Sequence, residues 1–296
     1  MIEFLQQLLN GISLGAIYAL LAIGYTLVYG VLRFINFAHA DVFMAGAFIG
    51  WYGGQFMPSN SIGSGLAVMG MAMVGTALLG MAIERFAYRP LRSAPTLNVL
   101  ITAIGVSLLL EYSGQKFFGA APRHFPPLFP RRDFNVGHLT VSSDQLLVIG
   151  VTAVLIVLLQ TIIYRTRIGT AMRAVSLNPR AASLVGVNNN RIISFTFALG
   201  SALAGAGGIL YASNYPAIDP LMGVMPGLKA FVAAVLGGIG SIPGAALGGL
   251  VLGIVETFVG GSSLSSGKDA FAFAILIVIL LFRPSGLLGR MNVEKV

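Results

Sequence analysis

Residues 4–32 read FLQQLLNGISLGAIYALLAIGYTLVYGVL, a run without Asp, Glu, Lys or Arg. About 20 apolar residues in a helix cross the roughly 30 Å hydrocarbon core of a bilayer. Backbone amides there must be satisfied inside the segment or inside a closed barrel. Barrel strands would alternate polar and apolar residues over about 10 positions. This run does not alternate, so it predicts a membrane-spanning helix. Further charge-free intervals lie at Val42 to Ile83, Ser93 to Leu110, Gln145 to Tyr164, Ile192 to Ile218, Ala230 to Val255 and Ala270 to Phe282. Over all 296 residues, 56% are hydrophobic and 9% charged, with a mean hydropathy of +0.86. Soluble domains carry about 25% charged residues, so a water-soluble surface is excluded. The chain is predicted to be all-α: a single polytopic transmembrane bundle over 1–296.

Composition narrows the chemistry. Glycine occurs 38 times, where average usage of about 7% would give about 21, and small residues let helix backbones approach closely in lipid. The pairs Gly11/Gly15, Gly46/Gly50, Gly244/Gly248 and Gly249/Gly253 have the spacing for such contacts. There is no cysteine, which excludes disulfides and thiolate metal sites. Met1, Ile2 and Glu3 lead into apolar sequence without a basic n-region, so the first helix is expected to be retained rather than cleaved as a signal peptide. The net charge of +8 calls for no nucleic acid, because basic residues flank membrane spans on the cytoplasmic side.

That rule orients the chain. The segment from Arg165 to Arg191 holds Arg165, Arg167, Arg173, Arg180 and Arg191 with no acidic residue, and is predicted to be cytoplasmic. Arg85, Arg89 and Arg92, and the tail with Arg283, Arg290 and Lys295, are assigned to the same side. The connection from Tyr112 to Asp144 also carries basic residues, but one span separates it from each cytoplasmic neighbour, and Pro122, Pro126, Pro127 and Pro130 predict an extended outer segment. Between Arg191 and Arg283 the chain must cross an even number of times, so Ala230 to Val255 contributes none or two. Its 26 residues reach about 39 Å as helix, too little for two traverses. With the tail inside, the remaining solution is a re-entrant pair of half-helices folding back at Gly237-Gly238-Ile239-Gly240-Ser241-Ile242-Pro243-Gly244, a candidate for a translocation path because irregular backbone at membrane depth must be buried or line a cavity; the alternative is a single kinked span with the tail outside. Val42 to Ile83 is long enough for two crossings, with a turn around Gly53, Gly54, Pro58 and Asn60, so seven full crossings plus this pair, about eight membrane segments in all, place the N-terminus outside.

Enzymatic motifs fail on inspection. Gly260 to Asp269 resembles a phosphate loop, but Ser262 stands at the first glycine and Asp269 at the magnesium-binding hydroxyl. Gly238-Ile239-Gly240-Ser241-Ile242-Pro243 lacks the last glycine of a dinucleotide fingerprint. His39, His124 and His138 have no metal-ligand spacing. No catalytic residue, metal or cofactor is expected. The remaining candidates are polar groups near lipid, which are costly unless paired or wet. Asn36, His39 and Asp41 cluster where the first span returns to the second, either as a gate or as a hydrogen-bonded junction. Lys229 and Glu256 bracket the proposed fold-back and can form a buried pair serving passage or helix positioning. In the arginine-rich loop, Asn178 can cap a short helix that Pro179 starts, and Gly186 can end it. Ala181, Ala182, Ser183, Leu184 and Val185 then form a small, partly apolar rod suited to a groove on a partner protein.

The sequence resembles a known family in an ordered set of motifs. These are Ile17-Tyr18-Ala19-Leu20, Gly24-Tyr25-Thr26-Leu27-Val28-Tyr29-Gly30, Ile35-Asn36-Phe37-Ala38-His39, Glu84-Arg85-Phe86-Ala87-Tyr88-Arg89-Pro90-Leu91-Arg92-Ser93, Arg173-Ala174, Ala182-Ser183-Leu184-Val185-Gly186, Gly227-Leu228-Lys229-Ala230-Phe231, Gly237 to Ala245, and the terminal Val293-Glu294-Lys295-Val296. Together they resemble the LivH-type permease subunits of bacterial branched-chain amino-acid ABC importers. Two departures are visible: Ala40 where the family often has glycine, and Arg180 at the glutamate position of the general importer signature, whose downstream Leu-Pro is also missing. The resemblance implies a multi-pass inner-membrane subunit that transports leucine, isoleucine or valine and hydrolyses nothing itself. Its implied partners are a second related permease, two cytoplasmic ATPase subunits, a periplasmic binding protein and membrane lipid. It also implies that 165–191 is the coupling loop, with Arg173, Asn178, Pro179, Ala182, Ser183, Leu184 and Gly186 meeting the ATPase. Asn36, His39, Asp41, Lys229, Gly237, Gly238, Gly240, Pro243 and Glu256 are the candidates for path or gate. Urea or short amides are the alternative cargo for the same architecture. A stand-alone carrier fits less well, because Phe4 to Leu32 and Gln145 to Tyr164 hold no ionisable group of the Asp, Glu, Lys or Arg type.

Overall fold

The structure, a computed structural model, describes residues 2–289 apart from 59, 93, 138, 264 and 284. Arg290, Lys295, the terminal motif and Ser93 lie outside the described residues. Among the described residues the order is α1 (Ile2–Leu32), α2 (His39–Phe56), α3 (Ile62–Ile83), α4 (Thr96–Phe118), β1 (Arg123–His124), β2 (Asp133–Val136), β3 (Leu139–Ser142), α5 (Ser143–Arg165), α6 (Arg167–Leu177), α7 (Pro179–Leu184), α8 (Asn189–Asn214), β4 (Ala217–Ile218), α9 (Val224–Gly237), α10 (Ile242–Gly260) and α11 (Lys268–Phe282). A π-helical turn, Glu84–Tyr88, and a 3-10 turn, Arg89–Leu91, extend α3. Polar caps start several helices where the apolar runs begin. Ser142 and Gln145 form a capping box on α5, and Thr166, Asn178, Asn188 and Ser241 cap α6, α7, α8 and α10. The strands form two short antiparallel pairs, β1 with β4 (Arg123 opposite Ile218) and β2 with β3 (Asp133 opposite Ser142).

Among the described residues, seven helical segments are long and apolar enough to cross a membrane: α1, Ile62–Leu91, α4, α5, α8, α10 and Ser265–Phe282. The protein is a multi-pass helical membrane protein. Burial separates a centre from a periphery. In its most apolar stretch α1 is 89% buried, whereas the corresponding stretch of the last span is 6% buried. α2, α8, α9 and α10 pack around α1, and α4, α5 and α11 expose apolar faces on the outside.

Contacts fix the directions. Gly11 faces Ile254 and Gly15 faces Leu250, so α10 runs antiparallel to α1. Gly24 faces Gly200 and Leu20 faces Gly207, which makes α8 antiparallel to α1, while Gly46 on Gly205 and Gly50 on Ile209 make α2 parallel to α8. A methyl group on Gly15 would sit 2.7 Å from Leu250 Cα, and one on Gly253 would sit 2.3 Å from Gly15 Cα. Only glycine permits these backbones to touch.

The bundle therefore has two distinct ends. One carries the end of α1, the π turn, α6, α7, the start of α8 and the α9–α10 turn, joined by Ser176 Oγ donating to the Gly30 carbonyl (2.5 Å) and Arg92 donating to Asn190 Oδ1 (2.6 Å). The other carries the start of α1 and the strands, joined by Gln6 Nε2 donating to the Thr140 carbonyl (3.0 Å). The Tyr112 to Asp144 connection thus returns at the end opposite the arginine-rich loop, although α4 continues through Phe118, beyond the charge at Glu111 where the apolar interval stops. The tail packs on the α9–α10 turn, with Leu287 N donating to the Leu236 carbonyl (2.8 Å) and Leu288 N to that of Gly237 (3.0 Å).

The chain does fold back at residues 238–241, but its arms are unequal. α9, with 14 residues, is about 21 Å long; α10, with 19, is about 28 Å. α10 has the length of a full span rather than of a half-helix. Charge-free intervals cut both arms short, because Lys229 and Glu256 are buried within them and neutralise each other. Segment membership changes as well. α10 joins the membrane-length helices, while α2, richer in polar residues, is not among them.

Two outcomes test this packing. Gly15→Val should destabilise the detergent-purified protein by about 1–3 kcal/mol or more, whereas Gly150→Ala, with open space around it, should stay within about 0.5 kcal/mol; thermal unfolding reads both. In the cysteine-free chain, single cysteines at Ser183 and Ser262 should label with impermeant reagents from opposite faces, and Ser241→Cys from the face of Ser183. Labelling of Ser241→Cys from the Ser262 face would refute the fold-back.

Candidate functional site

Burial of charge marks the first site. Lys229 on α9 and Glu256 on α10 are 5% and 6% exposed. Lys229 Nζ lies 2.6 Å from Glu256 Oε1 and 2.6 Å from Asp269 Oδ1 at the start of α11. Tyr18 on α1 donates its hydroxyl to Glu256 Oε2 at 2.9 Å. The cluster therefore ties four helices together. An ion taken from water without partners would cost several kcal/mol, which explains why Glu256 uses both oxygens. A cavity of 210 Å³ opens on this cluster, lined also by Lys268, Tyr211 and Tyr215. A second, of 330 Å³, adjoins it through Leu14 and Tyr215 and is lined by Asn10, Ser13, Gln145, Asn214 and Thr257. Asp269, which the sequence reading met only as a misfit in a phosphate loop, is the member it missed. Its place directly before the last apolar run was the available signal.

The other path candidates lie elsewhere. Asn36, His39 and Asp41 are buried but point to three different helices. Asn36 Oδ1 accepts from the Tyr88 hydroxyl (2.5 Å), and Asp41 accepts from Ser107 Oγ on α4. The His39 ring packs on Gly24 and, edge-on, on Tyr25. They fasten the start of α2, which begins level with the middle of α1. Gly237, Gly238, Gly240 and Pro243 sit together at the α9–α10 turn. Gly237 lies against the Gly244 carbonyl and Gly238, with φ of +101°, against the backbone of Gly289. Gly240, φ +96°, completes the reversal, and Pro243 opens α10. The two cavities beside Lys229 are at the far end of the α9–α10 pair from this turn.

The second site is α7. Asn178 Oδ1 accepts from the backbone amides of Arg180 and Ala181, both at 3.0 Å. Gly186, with φ of +87°, ends the helix, in the left-handed region that costs a side chain about 1–2 kcal/mol. Ala182 is buried against the bundle, whereas Leu184 is 88% and Val185 79% exposed. Ser183 closes on its own helix through the Arg180 carbonyl (2.7 Å). Arg173 turns inward, donating to the Ile163 carbonyl and lying over the Tyr164 ring at 5.6 Å. It braces the α5–α6 corner rather than standing beside Leu184.

A third cluster, unread in the sequence as a site, supports α7. Glu84, fully buried, pairs with Arg92 and with Arg89 Nε at 3.4 Å, and accepts from Ser194 Oγ. Arg92 reaches Asn190, and Asn189 Nδ2 donates to the Pro179 carbonyl at 2.8 Å. The end of α3, the start of α8 and α7 thus form one polar unit. A single acidic residue, Glu84, followed closely by Arg85, Arg89 and Arg92 was the signal for it.

Among the described residues no group of three His, Cys, Asp or Glu side chains is placed to hold a metal ion. Comparison with known proteins places the chain. Residues 7–280 match the family model described as branched-chain amino acid transport system / permease component. The chain is 42% identical, over 99% of its length and 98% of the relative's, to the high-affinity branched-chain amino acid transport system permease protein BraD of Pseudomonas aeruginosa. It is 41% identical, over the same shares, to LivH of Escherichia coli K12, which bears the same description. A more distant relative, 29% identical over 91% of this chain and 88% of its own length, is the probable branched-chain amino acid transport permease protein LivH of Methanocaldococcus jannaschii. The chain belongs to the branched-chain amino acid transport permease family.

Proposed function

We propose that this protein is the membrane-spanning subunit of an ATP-driven importer that carries leucine, isoleucine and valine across the bacterial inner membrane. Near full-length similarity to permeases of that description supports the cargo. The observation that carries the ATP-driven reading is α7: a capped helix whose last residue, Leu184, and the Val185 that follows it face outward at the most arginine-rich end of the bundle. Burying one such side chain in a partner is worth about 1.5–3 kcal/mol. On this reading α7 docks in a groove of one of two cytoplasmic ATPase subunits, a second related permease completes the membrane unit, and a periplasmic binding protein delivers the substrate at the strand-bearing end. The arginine-rich end is cytoplasmic, and with it the tail, which packs on the turn at the same end. Nucleotide hydrolysis belongs to the ATPase partners, since the one phosphate-loop-like stretch lacks its first glycine and its magnesium ligand.

Leu184→Asp should leave the permease inserted and stable, because the side chain is almost fully exposed, yet lower ATPase co-purification about tenfold or more. Gly186→Trp should do the same by straining the turn that ends α7. Both should abolish stimulation of ATP hydrolysis by loaded binding protein, while Arg167→Gln should change little. ATPase assembly and transport at wild-type levels in Leu184→Asp would remove α7 from the coupling role.

A further inference from the structure

We propose that the Lys229, Glu256 and Asp269 cluster, with the two cavities beside it, is an intrasubunit binding site for the paired charges of a zwitterionic α-amino acid. This rests on the reading of the chain as an amino-acid permease and assigns the recognition step to named side chains. The cluster and its mouth contain two ammonium groups, Lys229 and Lys268, and two carboxylates, Glu256 and Asp269. The two ion pairs of Lys229 differ in kind. Glu256 is buried and held by Tyr18 as well, whereas the Asp269 side chain is 45% exposed. Tyr18 holds Glu256 a second time, so Glu256 is the fixed counter-ion; Asp269, with its Oδ1 buried against Lys229 and the remainder of its side chain reaching solvent, is the exchangeable one, and that oxygen needs a cation in either position. An incoming carboxylate takes the place of Asp269 on Lys229, and the freed Asp269 receives the α-ammonium. The two ion pairs of the empty site become three in the filled one, Lys229 keeps two carboxylate partners throughout, and no buried charge is left alone.

The exchange selects for both charges at once. A carboxylic acid without the ammonium leaves the buried Oδ1 of Asp269 with no cation, and a neutral amide such as urea cannot replace either pair; a buried charge left unpaired is what rejects a wrong ligand. The adjoining 330 Å³ cavity falls at the small end of the roughly 300–1,000 Å³ typical of ligand sites. Leu14 and Ile17 offer it an apolar wall, and Asn10, Ser13, Gln145 and Asn214 a polar one. α11 packs on α9 and α10 and is otherwise exposed, so loss of the Lys229 to Asp269 contact frees it to shift over the mouth.

The test uses the assembled transporter with both permeases and both ATPases. In Thr257→Cys, placed on the wall of the larger cavity, saturating L-leucine should slow labelling by a small maleimide at least about fivefold, whereas urea and 4-methylpentanoate should not. Asp269→Asn, which keeps the Lys229–Glu256 pair, should abolish that protection and lower leucine uptake about tenfold, while leucine-loaded binding protein still stimulates ATP hydrolysis. Equal protection by urea or by the acid, no protection by leucine, or wild-type uptake in Asp269→Asn would overturn the proposal. Loss of both uptake and ATPase stimulation in Asp269→Asn would overturn it too, by making Asp269 an assembly residue. A wild-type assembly that imports no leucine would instead defeat the functional reading, and the labelling comparison would still decide whether this cavity holds a zwitterion.

Discussion

The contact between α1 and α10 is the constraint on which the rest of the bundle depends. Lipid tails are as apolar as leucine, so helices in a membrane associate through close packing and polar contacts rather than by escaping water. Gly11 and Gly15 on one helix and Gly249 and Gly253 on the other bring the backbones together at distances where any side chain would collide. That approach sets the register by which Tyr18 reaches Glu256. α9 then packs on α10 by the same device, with Gly237 on Gly244 and Gly248 on Ala233. Lys229 comes to lie opposite Glu256 because both contacts hold at once.

This geometry joins two distant chemistries. At one end the buried Glu84 cluster and the Asn189 contact fasten α7 to α3 and α8. At the other, Lys229 binds α9 to α10 and α11. α9 runs between them, from the start of α2 to the turn where the tail docks. On the proposed reading, force applied by an ATPase at α7 enters helices that surround α1, and α9 and α10 carry its consequence to the charge cluster. A rigid, glycine-packed centre transmits such displacement, because close-packed interiors have few soft modes.

Much of this was legible in the sequence, and the reasons are physical. Apolar runs identify lipid-compatible helices because the bilayer permits almost nothing else. Asn178, Pro179 and Gly186 predict α7 because capping is local chemistry. The glycine pairs predict contacts, though not their partners, since spacing on one helix says nothing about the helix it meets. What failed was the use of charge as a helix boundary: Glu111, Lys229 and Glu256 all lie inside helices. A buried ion pair looks, in one dimension, like two interruptions. Asp269 was opaque for the same reason, its partner Lys229 lying far away along the chain, and so was the docking of Glu84 on Ser194, although its arginine partners stand beside it in sequence. Asn36, His39 and Asp41 look like one cluster in sequence, yet neighbouring residues at the start of a helix point in different directions and meet three different helices.

The central claim is that this chain is one part of an ATP-driven machine and has no transport of its own. Reconstitution in proteoliposomes decides it: with ATP inside or outside, the purified chain alone should neither hydrolyse nucleotide nor accumulate radiolabelled leucine, and both activities should arise when the second permease, the ATPase pair and the binding protein are supplied together. Leucine accumulation by vesicles that hold this chain alone would contradict the account.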